Sequence, residues 1–295
     1  MSIKESELIL NPDGSIYHLN LKPEHIADTV ILVGDQGRVS KISKHFDTIE
    51  YSIQKREFKT ETGIYKGKRI TVLSTGIGCD NIDIVLNELD ALVNIDFKTR
   101  TIKSELKRLN IIRVGTSGSL QKEIDVDAFL VGTHGLDFSG MLHFYDLKSI
   151  CDSAFEDAFI SYTNWNPEKS RPLLIAGSQY LENHFNTDAT KSGITATASG
   201  FYGPQGRKLR LDIEDDTLND HIHSFSFNNL KITNLEMETA AIYALSKLLG
   251  HEALSINAII ANRAAGTFSK NPGLAIEKLI LYTLDKIVSL KPETK

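Results

Sequence analysis

Gln205 and Arg207 stand close together in Ser199-Gly200-Phe201-Tyr202-Gly203-Pro204-Gln205-Gly206-Arg207, a stretch that gathers an amide, a guanidinium and an aromatic ring. Together these groups can read a flat, polar heterocycle. The Gln205 amide offers a donor and an acceptor, the complement of the N3–H and O4 edge of a uracil ring. Arg207 adds donors for a carbonyl oxygen, and Phe201 can lie against a ring face or a sugar. A solvated Gly/Pro-rich loop would have the same composition, so the stretch needs support from elsewhere in the chain.

Three further stretches supply it. In Ile111-Ile112-Arg113-Val114-Gly115-Thr116-Ser117-Gly118-Ser119 an apolar, strand-like run breaks into glycines and small hydroxyl residues. Open α/β sheets present ligand sites in this way, beyond the carboxyl ends of their strands. Arg113, Thr116 and Gly118 are therefore ligand candidates, because a buried arginine in an apolar strand needs a partner and an anion provides one. Val30-Ile31-Leu32-Val33-Gly34-Asp35-Gln36-Gly37-Arg38 repeats the pattern and reads as an anion-binding turn, with backbone N–H groups near Gly34 and the fork of Arg38. No Walker-type or Gly-x-Gly-x-x-Gly pattern competes with it. Asn234-Leu235-Glu236-Met237-Glu238 leads into a helix, and the Glu238 carboxylate can accept from both hydroxyls of a vicinal diol such as that of ribose. The plainer alternative for Glu238 is an acid placed at a helix N-terminus, worth about 0.3 to 1 kcal/mol.

These groups must be positioned by alternating strands and helices. Apolar or β-branched runs at 29–33, 69–74, 110–114, 128–133, 172–176, 193–198, 231–236 and 253–261 predict strands, and Phe58 to Leu73 predicts a hairpin around Lys66-Gly67-Lys68. Helices are predicted at 81–94, 100–108, 238–249 and 273–290, with Gly250 as the C-cap of the third. The pattern is that of a single α/β domain over 1–295, with an N-terminal extension at 1–16 and a frayed charged tail at 291–295.

Composition narrows the function. The 295 residues are 41% hydrophobic, enough for a large core, and a net charge of −5 without a basic block argues against a nucleic-acid surface. With only Cys79 and Cys151, no leader-like segment and no long apolar run, the expectation is a reduced, cytoplasmic protein that acts on small metabolites. Neither a disulfide framework nor a membrane association is expected.

At this point the chain resembles the nucleoside phosphorylase I family, in particular its uridine branch. Four motifs occur in order: Gly-Asp-x-x-Arg (Gly34 to Arg38), Arg-x-Gly-Thr-Ser-Gly (Arg113 to Gly118), Phe-Tyr-x-x-Gln-x-Arg (Phe201 to Arg207) and Glu-Met-Glu (Glu236 to Glu238), followed by Asn262-Arg263. The resemblance runs from about Tyr17 to the C-terminal helix. It implies a mixed, twisted and partly barrel-like β-sheet flanked by helices. The implied activity is phosphorolysis of uridine to uracil and ribose 1-phosphate, without a cofactor and with phosphate as co-substrate. The uridine branch reads the pyrimidine with a pair like Gln205 and Arg207, whereas the hexameric purine branch carries an acid where this chain has Arg263.

Carried onto this sequence, the resemblance implies that Gly34, Arg38, Arg113 and Thr116 bind phosphate and that Arg56 reaches the same phosphate from a neighbouring subunit. His18 would cross the interface to the ribose, which Thr116, Met237 and Glu238 hold from their own subunit. Gly118, Phe201, Gln205, Arg207, Ile260 and Arg263 would bound the base. Arg113, Arg207, Gln205 and Glu238 would carry the catalysis. A homo-oligomer with shared sites follows, either a dimer or a hexamer built of dimers.

The chain also departs from the pattern. Gln36 stands where proline is usual, Cys79-Asp80-Asn81 replaces the usual Gly-Pro-Ser, and the Pro-Gly order before Gln205 is reversed. The second change speaks against the monovalent cation that some relatives hold near Glu57, so no metal is expected. Extra residues are expected near 96–107, 136–140 and 212–229. The competing readings are a purine phosphorylase or nucleosidase on the same fold, and a non-catalytic nucleoside-binding protein. Water as nucleophile would not require three phosphate-directed arginines.

Overall fold

Residues 2–291 are described by the computed structural model. In chain order the elements are β1 (Thr29–Val33), α1 (Gln36–Ser43), β2 (Thr48–Lys55), β3 (Phe58–Tyr65), β4 (Lys68–Ser74), α2 (Cys79–Asn94), β5 (Ile95–Asp96), β6 (Thr101–Ile102), β7 (Asn110–Ser119) and β8 (Phe129–Asp137). They continue with α3 (Ser153–Thr163), β9 (Leu173–Ala176), α4 (Gln179–Phe185), β10 (Thr190–Thr197), α5 (Leu218–Ser224), β11 (Ser226–Phe227), β12 (Leu230–Glu236), α6 (Thr239–Leu249), β13 (Glu252–Asn262), β14 (Thr267–Phe268) and α7 (Pro272–Ser289).

Strand β1 is apolar at nearly every position because both of its faces are covered, as in parallel strands generally. Val30 and Leu32 pack with α2 and α6, while Ile31 and Val33 pack with α1, α4 and α7. Twelve strands form one mixed sheet in the order β11-β12-β10-β8-β13-β7-β1-β4-β3-β2, with β9 on β8 and β14 on β13. An antiparallel pairing of β12 with β7, Asn234 opposite Ser119 and Leu235 opposite Gly118, closes β12, β10, β8, β13 and β7 into a barrel. The remaining strands, β1, β4, β3 and β2, extend from it as a wing. The mixed, partly barrel-like sheet flanked by helices is thus the observed fold. Register aligns the ends that matter: Leu32 of β1 lies opposite Leu73 of β4 and Arg113 of β7, so Gly34 and Gly76 emerge side by side.

The predicted strands and the hairpin are present, and Gly250 caps α6 with φ of 80°. Several expectations need correction. No helix forms over 100–108. Lys103 N–H and Lys107 N–H donate to the backbone and side-chain oxygens of Asn94, Arg100 adopts φ of 56°, and Thr101–Ile102 pairs with Ile95–Asp96. The segment has no apolar face to seat a helix on the body, since Ile102 and Leu106 are exposed and only the adjoining Leu109 is buried. Strand β7 does not stop at 114 but continues to Ser119, held along its whole length by β13. Of the segment 136–140, Leu136 and Asp137 complete β8. Residues 212–229 contain α5 and β11 and build a third core against α3, where the Phe155 and Phe225 rings meet edge-on at 5.3 Å. The segment before Ile16 is bound to the body, with Leu8 and Ile16 in the core. Apart from Lys291, the expected tail lies outside the described residues.

Candidate active site

Arg113 is the centre of the site, and its local sequence explains how a guanidinium fits inside a sheet. Side chains two apart on a strand share a face, and a Cβ at Gly115 would stand 1.9 Å from Arg113 Nη1. Glycine at 115 is what leaves room for the arginine. Arg113 Nη2 lies 2.5 Å from Glu238 Oε2 and 3.1 Å from Glu236 Oε2, and Nη1 donates to Asn257 Oδ1 at 2.8 Å. Burial works against the Arg113 charge, but the two carboxylates hold it above the ordinary arginine range.

Glu236 and Glu238 flank the β12–α6 junction. Glu236 is sealed in by the N–H groups of Glu238 and Thr239 and by the hydroxyl of Thr197, and burial pushes its carboxyl up against the pull of Arg113. Glu238, the N-cap residue of α6, accepts from Gly78 N–H at 2.8 Å through its other oxygen. Arg38 rises from the first turn of α1 and donates to Val114 O at 3.1 Å; burial and the nearby Arg113 charge press its pKa down. Asp35 caps the same helix by accepting from Gly37 N–H at 2.9 Å.

The opposite end of the site is built by the loop after β10. Arg207 stacks on Phe201, its Cζ 3.9 Å from the ring centroid, and donates from Nη1 to Phe201 O at 2.7 Å and to Gln205 Oε1 at 2.5 Å. That last bond fixes which end of the Gln205 amide is oxygen, since a guanidinium can only donate. Gln205 is buried, in a short 3-10 turn that Gly206 ends with φ of 65°. Arg263 reaches the same turn from the end of β13, donating to Gln205 O at 2.6 Å. Burial and the Arg207 charge press Arg263 down to about 10. Neither guanidinium has a carboxylate within ion-pair distance among the described residues.

A cavity of about 700 Å³ joins the two ends. It is lined by Gly34 and Arg38, by Arg113, Thr116 and Gly118, by Phe201, Gln205 and Arg207, and by Met237, Glu238 and Ile260, all anticipated from sequence. Arg263 is different. It donates to the Gln205 and Gly206 carbonyls and does not line the cavity. His18 and Arg56 also stand outside this chain's own cavity. They gather around Tyr17: the His18 ring meets Tyr17 edge-on at 4.8 Å, and Arg56 Cζ lies 6.0 Å from the Tyr17 centroid. Glu88 holds His18, with Oε1 2.6 Å from Nδ1.

Sequence reasoning missed Gln36, Asn81, Glu236 and Phe268 as lining residues. Glu236 had a visible signal, a second acid on the strand that leads to Glu238. Phe268 had none, because β14 brings it in only by pairing with Ala261. Among the described residues no cluster of His, Cys, Asp or Glu could hold a metal ion, and no helix is long and apolar enough to cross a membrane.

The phosphorylase superfamily model matches residues 28–279. The chain belongs to this superfamily. Among other phosphorylases, the uridine phosphorylase of Thermococcus kodakarensis is 30% identical over 88% of this chain and 81% of its own length. A DeoD-type purine nucleoside phosphorylase of Clostridium perfringens is 28% identical over 92% of this chain and 99% of its own. Among solved structures, a Trypanosoma brucei nucleoside phosphorylase described as showing uridine phosphorylase activity superposes with a TM-score of 0.85 at 29% identity, covering 96% of this chain and all of that one.

Proposed function

We propose that this phosphorylase cleaves uridine with phosphate, giving uracil and ribose 1-phosphate. The observation that carries the reading is the base end of the cavity, where Arg207 orients the Gln205 amide and Phe201 backs the guanidinium. The amide matches a pyrimidine edge that offers both a donor and an acceptor. The two arginines without carboxylate partners favour negative charge on a departing uracil. The likeness to the uridine phosphorylase of Thermococcus kodakarensis and to the Trypanosoma brucei enzyme agrees with this.

No side-chain nucleophile is required, because phosphate attacks C1′ as the glycosidic bond breaks through a cation-like sugar. Catalysis then consists of positioning and charge placement. Gly34, Arg38, Arg113 and Thr116 hold phosphate, Met237 and Glu238 hold the ribose, and Gln205 with Arg207 receives the charge that builds on the base. The charge at the phosphate end supports a shared site. Arg38 and Arg113 share the pocket with Glu236 and Glu238, both of which pair with Arg113, so a bound phosphate anion calls for further positive charge. Arg56 of a neighbouring subunit supplies it in this reading, with His18 beside it. No cofactor or metal takes part. The site acts on a small nucleoside and not on nucleic acid.

The test is release of free base from a panel of uridine, deoxyuridine, thymidine, inosine and adenosine, with and without phosphate. Uridine turnover that depends on phosphate and exceeds purine turnover is the expected result. Equal turnover without phosphate would reject phosphorolysis, and faster purine turnover would reject the pyrimidine assignment.

A further inference from the structure

Gln36 stands at the first position of α1 and lines the cavity near Gly34 and Arg38. Its side chain does not point at a ligand candidate. Nε2 donates to the backbone carbonyl of Arg56 at 2.6 Å, and Oε1 lies 3.4 Å from Gln54 Nε2. The carbonyl it holds belongs to the turn between β2 and β3, where Arg56 adopts the left-handed conformation with φ of 55°. A non-glycine residue in that region needs surrounding contacts to keep it there. On its other side the same turn is fixed by the Ser74 hydroxyl, which donates to Glu57 O at 2.6 Å. Glu57 follows directly and lines the cavity, and the Arg56 guanidinium leaves the turn toward Tyr17.

We infer that Gln36 is a positioning residue that holds the Lys55-Arg56-Glu57 turn against the N-terminus of α1 and thereby sets where the Arg56 guanidinium stands for phosphate. A proline at this position could make no such bond, because it has no side-chain donor. This role for Gln36 rests on the phosphorolysis reading above. The bond joins the helix that carries Arg38 to the turn that carries Arg56. Within one chain the amide thus links an arginine directed at this subunit's phosphate to one directed at the neighbour's.

Three variants separate the roles. Gln36→Glu keeps the size and replaces the donor with an oxygen facing a carbonyl. Gln36→Pro removes the side-chain donor at a helix position that tolerates proline. Arg56→Ala serves as the background for a double-mutant cycle. In initial-rate measurements with uridine and phosphate varied in turn, both Gln36 variants should raise the phosphate KM about three- to tenfold, the range open to one hydrogen bond. The uridine KM and kcat should stay within about twofold. In the Arg56→Ala background the effect of Gln36→Glu should largely disappear, because both changes act on the same group. Hydrogen exchange at residues 55–58 should also speed up in both Gln36 variants. An unchanged phosphate KM in variants of a phosphate-dependent wild type would overturn the role of Gln36 alone, as would effects that simply add to those of Arg56→Ala. Wild-type turnover that does not depend on phosphate would overturn the underlying reading and this one with it.

Discussion

At the scale of single residues, the site joins opposite charges from different segments into one unit. Arg113 was legible in the sequence because a charged residue inside an apolar run has few reasons to be there. Its contact with Glu238, 125 positions away, was not, since no local pattern reports which strand end meets which helix start. Gln205 and Arg207 were legible for the opposite reason, because neighbours in sequence could be read as neighbours in space. Arg263 shows the limit of that logic: nothing local reports that its guanidinium donates to the backbone of the loop that presents Gln205. If Arg207 stabilises charge on the departing base, Arg207→Ala should lower kcat by about 10²- to 10³-fold, the usual cost of one preorganised donor at a developing anion. Steady-state kinetics decide this. A change in KM with kcat kept within about twofold would make Arg207 a ground-state ligand.

Among elements, the strands were predicted better than the helices because buried strands announce themselves as unbroken apolar runs. Helix α1 was missed, although Asp35 is a good N-cap, because its eight residues bury one narrow stripe. Helices α3 and α4 likewise begin at capping residues, Asp152 and Ser178, whose side chains accept from the first turn. The helix expected at 100–108 has no such cap, and Asn94 captures that segment instead. Packing between elements reaches the site through Gly135. A Cβ there would lie 2.5 Å from Ala240 Cα, so β8 touches the backbone of α6 two residues from Glu238. Gly135→Ala should displace the start of α6 and destabilise the fold by about 1 to 3 kcal/mol, as overpacking does, and it should also lower kcat. Denaturant unfolding together with steady-state rates checks this. An unchanged midpoint with full activity would show that α6 yields at no cost.

For the whole molecule, the barrel and wing have separate duties. The barrel and its loops carry the end of the cavity with Gln205 and Arg207, and the wing strands β1 and β4 bring Gly34 and Gly76 to the end with Arg38 and Arg113. The wing's outer hairpin carries Arg56 to a surface beside Tyr17 and His18, away from its own cavity. If those residues complete a neighbour's site, mixing Arg56→Ala protein with Arg113→Ala protein under conditions of subunit exchange should restore activity. A mixed dimer would hold one site with both lesions and one with neither. Activity after proven exchange should rise well above that of either parent, and no recovery would mean that Arg56 acts within its own chain or not at all.

Strand β7 carries Arg113 toward one end of the cavity and Gly118 toward the other, on a single extended backbone clamped by β13 throughout. Five steps of about 3.3 Å set these two Cα atoms about 16 Å apart. The strand is thus a ruler. Neither mark can move without inserting or deleting a residue, and that would flip every side chain beyond it to the other face. A change of base preference is therefore open to the 199–207 loop, which can be rebuilt without disturbing the ruler. A change in the spacing of Arg113 and Gly118 would instead require a new register of β7 on β13.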